Sequence, residues 1–100
     1  MPTRDRILVV DDNAATRYAV RRVLEHHGFR VEEAGTGGDG LARLRSQDFG
    51  ALVLDVNLPD MSGFDVVRQL RAEPRTLLLP VVHVSAASIA TGDLITGLNA

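Results

Sequence analysis

Leu52-Val53-Leu54-Asp55-Val56-Asn57-Leu58-Pro59-Asp60-Met61-Ser62-Gly63 is the stretch that decides how this chain folds. Its opening, from Ala51 to Leu54, is an unbroken apolar run with the length expected of a strand buried on both faces. The run stops at a carboxylate, Asp55, and a loop marked by Pro59 and Gly63 follows. In open α/β sheets the crevice outside the carboxyl ends of the strands is where ligands bind, so an acid closing a buried strand is well placed for chemistry.

The same grammar appears earlier in the chain. Ile7-Leu8-Val9-Val10 is a second apolar run that ends in acids, Asp11 and Asp12, with Asn13 next. Asp12 and Asn13 both suit an N-cap, and Ala15, Ala19, Val20, Val23 and Leu24 recur at helical spacing up to His27, before Gly28. Phe29 to Ala34 alternates apolar and charged residues, as a strand near a sheet edge does, and Gly35 to Gly38 turn the chain. A short helix is predicted from about Asp39 to Gln47, with Leu41, Ala42 and Leu44 inward. After Asp55, Ser62 can cap a third helix with Asp65 in the reciprocal position of a capping box, and Phe64, Val67 and Leu70 form the expected buried stripe. Pro74 and Pro80 bracket a loop, Val81 to Val84 reads as a fourth strand ending in Ser85, and a weak fourth helix is expected from Ser88 to about Leu98. Strands alternating with helices across short loops predict an α/β fold, a three-layer α/β/α sandwich around a parallel sheet.

Composition narrows the function. With 100 residues, 45% of them apolar, the chain suffices for a single domain over residues 1–100. It has no cysteine, so disulfides and thiolate metal sites are excluded. Acidic residues number 13 against 11 basic ones, with no basic run, so direct nucleic-acid binding is not expected. No secretory signal or apolar span of about 18 residues is visible, so the expectation is a cytoplasmic protein without membrane partners.

In a parallel sheet the strand ends lie side by side, which would gather Asp11, Asp12, Asp55 and Ser85. Clustered carboxylates repel one another unless a cation sits among them, and hard oxygen ligands with open positions suit Mg2+ and phosphate. His26, His27 and His83 read as structural, and Asp60 and the arginines from Arg17 to Arg22 as loop and solvated helix residues.

Asp-Asp-Asn after the first strand, Asp55 closing the third, Pro59 and Gly63 in its loop, and Ser85-Ala86 closing the fourth together resemble the receiver domain of two-component response regulators. The resemblance implies a flavodoxin-like receiver fold and a phosphorelay switch rather than an enzyme. It implies that Asp55 accepts a phosphoryl group from a phosphohistidine on a sensor histidine kinase or phosphotransfer protein. It further implies that Asp11, Asp12, Asp55 and the backbone carbonyl of Asn57 hold Mg2+, that Ser85 binds the attached phosphoryl group, and that the fourth-helix face then switches. One departure stands out: the family carries a lysine at the end of a fifth strand, and this sequence contains no lysine and is expected to lack that last strand and helix. Two alternatives follow. One is a degenerate receiver acting as a docking module, or as a homodimer through its uncovered edge. The other is a Mg2+-dependent aspartyl-phosphate phosphohydrolase, against which Asn57 speaks, because that class places a second aspartate there.

Overall fold

A computed structural model describes residues 3–84 of the chain. After a short 3-10 turn the elements run β1 (Arg6–Val10), α1 (Ala14–His26), β2 (Arg30–Ala34), α2 (Gly37–Ser46), β3 (Ala51–Asp55), α3 (Gly63–Arg71) and β4 (Val81–Val84). All strand pairs are parallel and the spatial order is β2-β1-β3-β4, so β2 lies at an edge as its alternating sequence predicted. The predicted helix from Ser88 to Leu98 lies outside the described residues.

Because side chains alternate along a strand, the two apolar runs serve two cores at once. Ile7, Val9, Ala51 and Val53 face Val20 and Leu24 of α1. Leu8, Val10, Leu52 and Leu54 face Leu41 and Leu44 of α2 and Val66 and Leu70 of α3. That arrangement gives the three layers. It also explains why the runs Ile7 to Val10 and Ala51 to Leu54 have no polar position, since neither face meets water.

Helix phases depart from the sequence reading in instructive ways. On α1 the buried positions are Thr16, Val20 and Leu24, while Ala15 and Ala19 are exposed. Val20 and Leu24 fix the phase, and the residue four before Val20 must then share their face whatever its polarity. On α3 the buried positions are Gly63, Val66 and Leu70; Val67 is half-buried, and Phe64 is 58% exposed. On α2, Ala42 is exposed. That helix begins at Gly37 rather than Asp39, because Thr36 caps it by accepting the Asp39 amide at 3.1 Å. Gly37, read as part of a turn, is there for close approach: a Cβ on it would lie 2.5 Å from Met61 Cγ, and one on Gly40 further along the helix would lie 2.8 Å from Val10 Cγ2. At the end of α1 the prediction and the structure agree, with His27 as C-cap and Gly28 at φ +91°.

Candidate functional site

From β1 the chain passes to β2 on one side, and β3 lies on the other, so the carboxyl ends of β1 and β3 flank the point where the strand order reverses. Such a point leaves a crevice between diverging loops. Asp11 and Asp12 follow β1 and Asp55 closes β3, and one carboxylate oxygen from each lies within 4.8 Å of the others.

Asp11 and Asp55 are each held by the main chain that follows them. Asp11 is buried; its backbone amide donates to Ala34 O at 3.1 Å, continuing the β1–β2 ladder, and its Oδ1 accepts the Asn13 amide at 2.8 Å. Asn13 then caps α1 by accepting the Thr16 amide at 3.0 Å, so the acidic turn and the helix start are one unit. Asp12 is exposed at the mouth of the crevice. Asp55 is half-buried and its Oδ1 accepts the Asn57 amide at 3.3 Å. The loop that follows is closed at its base by Gly63 N donating to Val56 O at 2.7 Å and by an isolated bridge between Asn57 and Ser62. Only glycine fits at position 63, since a Cβ would lie 2.4 Å from Asp55 O. Ser62 and Asp65 form the predicted capping box on α3.

The electrostatics are those of a site awaiting positive charge. Burial pushes the Asp11 carboxyl above its ordinary value, and the neighbouring charges of Asp55 and Asp12 push the same way, against the Asn13 amide and Arg17. Three hard oxygen donors of like charge, one of them exposed, fit Mg2+, which takes one or two carboxylates and keeps open positions for water and phosphate.

Ser85 lies outside the described residues; Val84, which precedes it, pairs in register with Asp55. The histidines stand apart from the acids. His27 Nδ1 sits 2.9 Å from Val23 O, and the His83 ring lies 5.4 Å from Phe64. Two residues escaped the sequence reading. Arg17 does not lie on a solvated face: its guanidinium is mostly buried, donating to Asp11 O at 2.7 Å and to Glu33 Oε1 at 3.1 Å behind the acids. Its phase, one residue past the Thr16–Val20–Leu24 face, was the available signal. Asp60, read as a loop residue, accepts the Gly37 and Gly38 amides at 2.9 and 2.8 Å, a contact no local pattern announces.

A family model described as the response regulator receiver domain matches residues 7–100, so the chain belongs to the response regulator receiver family of two-component signalling. Among its relatives, the protein PilH of Pseudomonas aeruginosa is 38% identical over 80 residues, which cover 80% of this chain and 66% of PilH. The probable transcriptional regulatory protein TcrX of Mycobacterium tuberculosis is 42% identical over 94 residues, 94% of this chain and 39% of TcrX. The chain thus spans less than two thirds of the length of either. A sensor protein from a Polaromonas species, known from its crystal structure, superposes with a TM-score of 0.88 at 26% identity, over 94% of this chain and 92% of that one. The α/β receiver fold is therefore shared. Among the described residues no helix is long and apolar enough to cross a membrane.

Proposed function

We propose that this chain is a phosphoacceptor switch in a phosphorelay, with Asp55 receiving the phosphoryl group. The observation that carries the reading is the meeting of Asp11, Asp12 and Asp55, which come from two separate strand ends, within 4.8 Å at the reversal point of the sheet. Asp11, Asp12, Asp55 and the Asn57 carbonyl are the residues that would hold Mg2+, which when bound neutralises charge on the transferring phosphoryl oxygens.

The chain's own residues do the rest. Asp55, fixed by the Asn57 amide and by the closed loop behind it, presents a carboxylate oxygen to phosphorus. A new O–P bond forms as the P–N bond of a phosphohistidine breaks, and the departing imidazole keeps the electron pair and takes up a proton. The donor is a sensor histidine kinase or a phosphotransfer protein, which makes the cytoplasm the working compartment. Ser85, next in sequence to the residue paired with Asp55, hydrogen-bonds the attached phosphoryl group and biases the segment after β4 between two states. No diffusible product is turned over, so the domain acts as a switch and not as an enzyme.

Incubation with acetyl phosphate or phosphoramidate and Mg2+ tests the reading. Intact-mass spectrometry should show one added phosphoryl group, absent in Asp55→Asn. Labelling that persists in the variant would refute the assignment. No labelling of the wild-type chain, with Mg2+ binding intact, would select the docking role instead.

A further inference from the structure

The loop after Asp55 is closed at its base by the Gly63–Val56 hydrogen bond and the Asn57–Ser62 bridge, and its tip is tied elsewhere. The two carboxylate oxygens of Asp60 accept separate amides from the first turn of α2, Gly37 N at 2.9 Å and Gly38 N at 2.8 Å. Met61 packs beside this contact so closely that a Cβ on Gly37 would lie 2.5 Å from Met61 Cγ. A carboxylate shared between two helix N-terminal amides makes charge-assisted bonds in a favourable dipole field. Helix α2 also has a cap of its own, because Thr36 accepts the Asp39 amide. The contact joins two loops at the carboxyl rim: the one that carries Asn57, and the β2–α2 turn beginning just past Ala34, whose carbonyl holds the Asp11 amide.

We propose that Asp60 is a positioning residue for the acidic pocket: by anchoring the loop tip to α2 it holds the Asn57 main chain in place and so raises the affinity of the pocket for Mg2+. The proposal rests on the reading of Asp11, Asp12 and Asp55 as a Mg2+ site. Supports lying behind a metal's ligands commonly change its affinity about 10-fold or more when removed.

Calorimetric Mg2+ titration of five proteins tests it: the wild type, Asp60→Ala, Asp60→Asn, Thr36→Ala and Asp39→Asn. Asp60→Ala should weaken Mg2+ about tenfold, with Asp60→Asn, which keeps one acceptor oxygen, in between. Thr36→Ala removes the other cap of the same helix, and Asp39→Asn removes a charge from the same turn. Both should leave the affinity unchanged even where Tm falls. Equal weakening by Asp60→Ala and Thr36→Ala, or an unchanged affinity in Asp60→Ala, would reduce Asp60 to a plain helix cap and overturn the proposal. Should the wild type bind no Mg2+, the failure belongs to the pocket reading, and hydrogen exchange at the Asn57 and Gly63 amides then decides on Asp60. Faster exchange in Asp60→Ala but not in Thr36→Ala supports the anchoring, and equal exchange overturns it.

Discussion

The two ends of β1 treat charge in opposite ways. At its start, Arg6 hydrogen-bonds Glu32 and Gln47 and lies 5.1 Å above the Phe49 ring, while Arg43 Nη1 donates to Glu32 Oε1 at 3.0 Å. Arg6, Glu32 and Arg43 there each have an opposite partner. Burial pushes the Glu32 carboxyl up, but the bond and charge of Arg6, with help from Gln47 and Arg43, outweigh it and hold the group below its ordinary value. At the other end, Asp11, Asp12 and Asp55 crowd together with Arg17 behind them, and Asp11 is driven upward. One rim is a closed network that holds β1, β2 and α2 together. The other gathers like charges, and such local exceptions mark function.

The comparison can be broken most sharply at Asp55: Asp55→Asn should remove phosphoryl labelling entirely, whereas no substitution at the Arg6 rim should. Next in size, Arg6→Ala should destabilise the fold by about 2 kcal/mol in urea unfolding, since it leaves a half-buried Glu32 without its main partner. Mg2+ affinity should stay as in the wild type; a loss of affinity would mean that the two rims are not independent.

Asp55→Asn should act in the reverse sense on stability. Without metal it should stabilise the fold by about 1 kcal/mol, the size of one like-charge contact near 4 Å in a watery dielectric. Saturating Mg2+ should cancel or invert that gain, because only the wild type is stabilised by the ion.

The pH dependence of the two rims should also differ in sign. Asp11 is raised above 3.8, so in metal-free protein its ionisation costs stability above the folded pKa, and the cost disappears as pH falls through that value. Glu32 is lowered below 4.5, so its contribution is fully present above 4.5 and is lost as pH falls through the lower folded value. Asp11→Asn should therefore be stabilising at neutral pH and Glu32→Gln destabilising. On acidification both differences should fade, as followed by urea midpoints across the pH range.

The smallest effect concerns helix phase. Val66→Ala should cost about 2 kcal/mol and Phe64→Ala about 0.5 kcal/mol or less, because Val66 is buried and Phe64 is not. That inversion shows where the sequence was legible. The edge position of β2, the caps at Asn13 and Ser62, the stop at Gly28 and the acidic strand ends could be read because each depends on neighbours along the chain. The helix faces were missed where hydrophobicity misled. A large Phe64 looked buried, whereas the phase set by Val66 and Leu70 turned it outward, and Thr16 was buried by the same logic. Arg17 and Asp60 were missed because their partners, Asp11 O and the amides of Gly37 and Gly38, are brought to them only by the assembled layers.

Titration of the metal-free chain with Mg2+, followed by the backbone amide resonances, tests the central claim most directly. One saturable isotherm should move Asp11 to Asn13 and Asp55 to Asn57 together, and both Asp12→Asn and Asp55→Asn should abolish or greatly weaken it. Resonance shifts confined to other surfaces, or binding untouched by either substitution, would contradict the account.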